Sequence, residues 1–271
     1  MQNAVLSDRV CVLEPLTWNL VHAEAVDKLM GTEVPERAKY IRVLMAELSR
    51  IQSHLVWYAA ISIAMGFSTG FKLAIGYRDY ILGLFEHITG GRVYPAGYIC
   101  PGGVRRDLPD KTANKIKTVL DKIKEIMRFE KLENPGFEER TKGVGVLSAK
   151  DAVMLGATGP VLRGSGVRTD VRVDSPYEVY EDLEFEVPVR KEGDAYARFM
   201  IGVDEISESI HIIEQVLDMM PSGKVREPSM KPEILVKIPK GEVYVRNEGA
   251  RGEVGIYMVG NGGSNPYRVR I

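Results

Sequence analysis

The chain has 271 residues, 45% of them apolar and 27% charged, with a formal net charge of −1. That length buries a full core, as one large domain or two small ones, and the composition is that of an ordinary globular chain. A net charge so near zero excludes a global field that would draw the chain to nucleic acid or acidic lipid.

Met1–Asp8 has no basic cluster followed by an apolar core, so no signal peptide is read there. The longest apolar run, Leu55 to Phe67 broken by Ser62, is shorter than the ~20 residues a spanning helix needs. Membrane contact is therefore expected only through partners. Leu16 to Met30 has helical spacing and stops at Gly31, and Pro35 suits the first turn of a second helix. That helix is expected from Glu36 to about Gly66, with Ile41, Leu44, Leu48, Ile51 and Leu55 as its apolar stripe. Arg37, Arg42, Glu47 and Arg50 fall mostly between the stripe positions. A third helix is expected over Phe71 to Ile88, ending at Thr89-Gly90-Gly91.

The Gly/Pro-rich stretch from Tyr94 to Pro109 allows close backbone approach or left-handed turns. Asp110 to about Leu132 reads as an amphipathic helix with Ile116, Leu120, Ile123 and Met127 on its apolar side. Short helices and loops are expected over 135–166, a polar loop over 170–191, and a strong helix from Asp194 to Met219. Ile234–Ile238, Glu242–Arg246, Val254–Val259 and Tyr267–Ile271 are β-rich runs separated by Pro-Lys-Gly and Gly-Asn-Gly-Gly. The expected class is mainly α (α+β): a helical bundle over 1–223 and a small antiparallel β element over 224–271 of the same domain. Both ends read as cuts through a longer fold or as junctions with another chain.

Cys11 and Cys100 are too few for a disulfide framework and suit a reducing compartment. Neither stands in a C-x-x-C pair, and His22, His54, His87 and His211 are scattered, so no metal-ligand spacing emerges. The 102–107 loop lacks the G-x-x-x-x-G-K pattern of a phosphate cradle. Arg163-Gly164-Ser165-Gly166 lacks the G-x-G-x-x-G spacing, so the chain's own residues give no nicotinamide site. Arg163, Asp170 and Arg172 are expected to form a buried ion-pair network.

A series of motifs points to one family. They run from Pro35-Glu36-Arg37-Ala38 and Ser49-Arg50-Ile51-Gln52-Ser53-His54-Leu55 through Thr89-Gly90-Gly91-Arg92-Val93 and Pro101-Gly102-Gly103-Val104-Arg105-Arg106-Asp107. Gly159-Pro160-Val161-Leu162-Arg163-Gly164, Gly193-Asp194-Ala195-Tyr196, Met220-Pro221-Ser222-Gly223, Arg251-Gly252-Glu253 and Asn265-Pro266-Tyr267-Arg268 follow. In this order they resemble the 49-kDa (D-type) subunit family of respiratory complex I. That family is the nickel–iron-hydrogenase-like large subunit, with relatives in archaeal deazaflavin-dependent dehydrogenases and energy-converting hydrogenases.

The resemblance implies a long-helix bundle packed against the small, B-type iron–sulfur subunit of such complexes. A C-type subunit and membrane-arm subunits are the other implied partners, and no nucleic acid. The complex would be an NADH– or deazaflavin–quinone oxidoreductase: an electron would leave the partner's iron–sulfur cluster and reduce a quinone, or an analogue, in a cavity between the two proteins. The complex would lie at the cytoplasmic face of the membrane, with this chain peripheral and coupled to ion translocation. Alternatives are a non-catalytic docking scaffold and a degenerate hydrogenase large subunit.

A nickel–iron site needs two C-x-x-C pairs. The first would fall over Asp8–Glu14, where Cys11 is present but its partner position is Glu14. The family's quinone-cavity tyrosine falls at Val12, and an acidic residue on the long helix at Ala64. Quinone-cavity candidates are therefore Asp8, Cys11, Val12, Glu14, His54 and Ala64. Asp8 and Glu14 are either cavity acids with raised pKa values or solvated surface acids. Cys11 can equally be a small buried apolar residue, and His54 a satisfied core histidine. Candidates facing the iron–sulfur partner are Arg92, Tyr94, Tyr98, Gly102, Gly103 and Arg105. Arg92 can place positive charge beside a cluster or form a structural ion pair. No metal or cofactor is expected on this chain alone.

Overall fold

Helix punctuation sets the first half of the chain. In the computed structural model, which describes residues 2–95, 97–130, 135–230 and 237–271, α1 (Gln2–Ser7) turns into α2 (Pro15–Met30). Pro15 occupies the first turn of α2, where its missing N–H costs nothing, and Gly31 closes the helix in the left-handed conformation. Pro35 precedes α3 (Glu36–Ala64), which runs for 29 residues, about 44 Å. α4 (Ser68–Thr89) returns along α3 and is ended by Gly90 at φ 78°.

The Gly/Pro-rich stretch forms a tight antiparallel hairpin, β1 (Ile99–Cys100) with β2 (Gly103–Val104), pairing Cys100 with Gly103. α5 (Thr112–Glu130) buries Ile116, Leu120 and Ile123, as its stripe predicts, while the Met127 side chain lies outside the described residues. Three short helices follow: α6 (Pro135–Thr141), α7 (Ala149–Met154) and α8 (Gly159–Gly164). The segment expected as a polar loop contains α9 (Val171–Asp174) and a 3-10 turn over Tyr180–Asp182. Asp170 caps α9 by accepting from Arg172 N, and Asp194 caps α10 (Ala195–Met219) by accepting from Ala197 N.

β3 (Gly241–Gly249) and β4 (Gly252–Gly260) form a nine-residue antiparallel hairpin around Ala250-Arg251, and β5 (Arg268–Arg270) pairs with β4. The strand expected over Ile234–Ile238 falls mostly outside the described residues. Ile238 itself is not in a strand; it exchanges backbone hydrogen bonds with the turn at Gly262 and Gly263.

Two apolar clusters carry the fold. The larger is built on Ile41, Leu44, Leu48 and Ile51 of α3, with Phe85 of α4, Ile116 of α5 and Ile213 of α10. The smaller joins Val21 and Ala25 of α2 to Val245, Ile256 and Met258 of the sheet. α3 differs from the amphipathic helix its stripe suggests. Arg42, Glu47 and Arg50 are buried along with the apolar face, because α2, α10, β3 and the 170–180 segment surround the helix and bring counter-charges.

Candidate functional site

The buried polar residues of α3 form a ladder. At its centre Glu47 accepts hydrogen bonds from Arg50, Arg172, Tyr180 and Ser209. Burial alone would raise the Glu47 carboxyl, but Arg50 and Arg172 hold it below its usual range. Arg172 also grips Asp170 at 2.7 Å, and Arg163 bridges Glu205 (2.5 Å) and Glu248 (2.8 Å). Arg163, Asp170 and Arg172 thus form the buried network expected of them, extended by Glu47, Glu205 and Glu248.

One turn beyond Arg50 stands His54. Its Nε2 lies 2.8 Å from Glu205 Oε2, and Arg251 Nη1 reaches its Nδ1 at 3.3 Å. Burial lowers this imidazole to about 4, only partly offset by Glu205. Arg251, from the β3–β4 turn, also donates to Ser53 O at 2.6 Å and lies over the Trp57 ring. Its guanidinium faces the charges of Glu14 and Glu205 and the Cys11 thiol.

Glu14 is buried, accepting from Thr17 and from Ala250 N in the same turn. Desolvation raises its carboxyl, against the pull of Arg50 and the Ala250 N–H. The turn fits only because Gly252 and Gly159 pass backbone to backbone: a Cβ on Gly159 would stand 2.3 Å from Gly252 Cα. Cys11, Glu14, His54 and Arg251 therefore converge at the tip of the hairpin.

A second constellation holds the β1–β2 hairpin. Arg42 donates to the carbonyls of Cys100 and Gly103 and pairs with Asp27 and Glu178, each at 2.8 Å. Asp27 in turn accepts from Gly102 N at 2.7 Å. Behind the hairpin, Gly103 bridges to Arg226, and a Cβ on Gly103 would come within 2.3 Å of Val225 O. Tyr98 is buried and donates to Arg106 O, with its phenol raised by burial. Arg105 is exposed on the outer side and its N–H donates to Tyr98 O.

The remaining expected residues are placed less centrally. Asp8 is buried, where it accepts from Gly97 N, so neither acid is a solvated surface acid. Val12 is 43% exposed, and Ala64 is exposed at the last residue of α3, ten residues beyond His54. Arg92 is exposed and paired with Asp79 and Glu86, a surface ion-pair arrangement. Tyr94 lies under the Arg9 guanidinium. Sequence reading missed Arg251 as a site residue, although it stands in the quoted Arg251-Gly252-Glu253 motif. It also missed Asp27 and Arg42 as the clamp on the hairpin.

A nickel–iron centre does not fit these residues. The thiol's partner position is Glu14, whose carboxyl is committed to Thr17 and Ala250. Among the described residues, no three His, Cys, Asp or Glu side chains come together as a metal-holding group, and no helix is long and apolar enough to cross a membrane.

The chain resembles known proteins along its whole length. The family described as "Respiratory-chain NADH dehydrogenase, 49 Kd subunit" matches residues 64–271. The D subunit of the F(420)H(2) dehydrogenase of Methanosarcina mazei is 43% identical, covering 100% of this chain and 74% of that protein. The D subunit of the NADH-quinone oxidoreductase of Thermosipho melanesiensis is 43% identical with the same coverage. Subunit 4 of the Thermus thermophilus NADH-quinone oxidoreductase is 40% identical, covering 100% of this chain and 72% of its relative. A solved chain of the membrane-bound sulfane sulfur reductase, an archaeal respiratory membrane complex, superposes with a TM-score of 0.94 at 41% identity, covering 100% of this chain and 74% of that one. The bundle, its C-terminal sheet and these matches agree, and the chain belongs to the 49-kDa-subunit family of the respiratory-chain NADH dehydrogenases.

Proposed function

We propose that this chain is the electron-accepting-site subunit of a membrane-associated respiratory oxidoreductase. In this reading it forms one wall of the acceptor cavity with an iron–sulfur partner, and electron transfer there is coupled to ion translocation by membrane-arm subunits. A C-type subunit completes its neighbours. The chain works as part of that complex, at the cytoplasmic face of the membrane.

The observation that carries the proposal is the convergence of Cys11, Glu14, His54 and Arg251 at the β3–β4 turn. It supplies a cation and a raised-pKa acid side by side. A guanidinium stabilises negative charge as it develops on a reduced acceptor, and an acid with a raised pKa delivers a proton at near-neutral pH. The β1–β2 hairpin, clamped by Arg42 and Asp27, has Gly102 and Gly103 buried against residues 225–230 and holds the exposed Arg105 outward for the iron–sulfur partner. The cluster belongs to that partner, and the residues here contribute charge.

The acceptor is a quinone or an analogue in the leading reading. The exposed valine at position 12, where that chemistry calls for a tyrosine, favours a second one. The solved relative named as a sulfane sulfur reductase is about as similar as the quinone-linked relatives, so a sulfur acceptor fits the same wall.

The test is co-purification with the iron–sulfur partner, then electron paramagnetic resonance of the reduced complex as quinone or a polysulfide is added. Reoxidation of the cluster by one acceptor supports the cavity and identifies its substrate class. A cluster signal that ignores both would leave the chain a docking scaffold.

A further inference from the structure

Glu24 lies mid-way along α2, only 7% exposed, and neither of its carboxyl oxygens is in a formed hydrogen bond. Asn247 of β3 faces it, fully buried and near enough to steady the carboxylate, yet both of its amide atoms likewise lack hydrogen-bond geometry with any partner. Four such polar atoms on two facing side chains are unusual in a protein interior, where buried polar groups are bonded to protein or to ordered water.

The nearest cation does not resolve the problem. Arg42 has its guanidinium committed to Asp27, Glu178 and the carbonyls of Cys100 and Gly103. Glu178, whose own backbone is in the left-handed region at φ 50°, is held against Arg42, and its carboxylate faces Glu24 closely enough to accept from a protonated Glu24. Tyr177, its neighbour in the chain, and Asp27, one turn along α2, are further titratable groups on this side. An ionised Glu24 would be a desolvated anion beside a second anion, without a well-formed hydrogen bond. Burial first, then Glu178, push its carboxyl well above the usual range, with Arg42 and Asn247 opposing.

We propose that Glu24 is a resident neutral acid, facing Asn247 and the Glu178 carboxylate, and so a proton site inside the charge network. The site lies between the Arg42 clamp on the β1–β2 hairpin and the Tyr177 phenol, which accepts from Glu248 N and so touches the Arg163 cluster. It stores one exchangeable proton between the partner-facing hairpin and the acceptor wall. It does not depend on which acceptor is used.

The test is infrared difference spectroscopy of the full chain, wild type minus Glu24→Gln, at neutral pH in H2O and D2O. The expected result is a protonated-carboxyl C=O band that shifts in D2O. A pair of carboxylate bands in its place would overturn the proposal. If Glu24→Gln fails to fold, Glu178→Gln gives the reading. Removing the facing charge moves the alkaline loss of the C=O band to lower pH, by a unit or more. An unchanged titration would overturn the proposal.

Discussion

Arg251 and Glu205 hold opposite nitrogens of one imidazole: Nη1 stands 3.3 Å from His54 Nδ1, and Oε2 stands 2.8 Å from Nε2. An arginine only donates, so Nδ1 must accept and Nε2 must carry the proton. The ring is therefore neutral and fixed in one tautomer. Glu205, which burial would raise, is held far below its usual range by Arg163 and His54.

That arrangement makes the fold acid-sensitive. His54 and His22 both have pKa values lowered by burial from 6.5 to about 4. The unfolded chain therefore binds these protons first, and stability falls as pH drops from about 6.5 towards 4. Each histidine contributes on the order of 3 kcal/mol by the lower end of that window. Urea unfolding across the window should show proton uptake on unfolding, and His54→Gln should remove about one proton of it. A variant with the wild-type slope would contradict the assignment.

Glu47 is the keystone of the buried charges, since four donors converge on it. Glu47→Gln keeps the shape but leaves Arg172 and Arg50 short of counter-charge. The expected loss is about 3–5 kcal/mol, read as a shift in the denaturant midpoint. A change within about 0.5 kcal/mol, the size of an ordinary surface substitution, would mean the network is solvated rather than dry.

The hairpin glycines are tested separately from the core. Gly103 sits at φ 141° with Val225 O where a Cβ would go, and Gly102 at φ 79° with Met230 Cβ 2.7 Å away from that position. Gly103→Ala should cost more than 1–2 kcal/mol, roughly the strain of the left-handed region alone, because backbone must also move. Because the hairpin positions the exposed Arg105, co-purification of the iron–sulfur partner should weaken in parallel. Full recovery of partner with Gly103→Ala would show that docking uses another surface.

Much of the helical framework is legible in the sequence, because Gly31, Pro35 and Gly90 punctuate it and the apolar stripe of α5 has the helical period. The site is less so. Cys11, Glu14 and His54 stand in motifs that resemble a known family, but nothing local places them beside Arg251, which lies 197 residues from His54. The same holds for α3. Its charges look solvent-facing by periodicity, yet Arg50 finds its carbonyl partner 198 residues away at Glu248, and Glu47 is reached by Arg172 from 125 residues away. Long-range counter-charges decide burial there, and a one-dimensional pattern does not carry them. Glu24 gives no signal at all, since one acid in a helical stretch reads as solvated.

The most direct measurement compares Arg251→Gln with wild type in the purified complex, following the rate at which acceptor reoxidises the partner's cluster. Arg251 also donates to Ser53 O and lies over Trp57, so the denaturant midpoint and partner co-purification of the variant are measured alongside the rate. The prediction is a rate lowered by about 100- to 1,000-fold, the worth of one donor acting on a developing anion, with the cluster signal itself unchanged. An undiminished rate would contradict the placement of the acceptor at the Cys11, Glu14, His54 and Arg251 convergence.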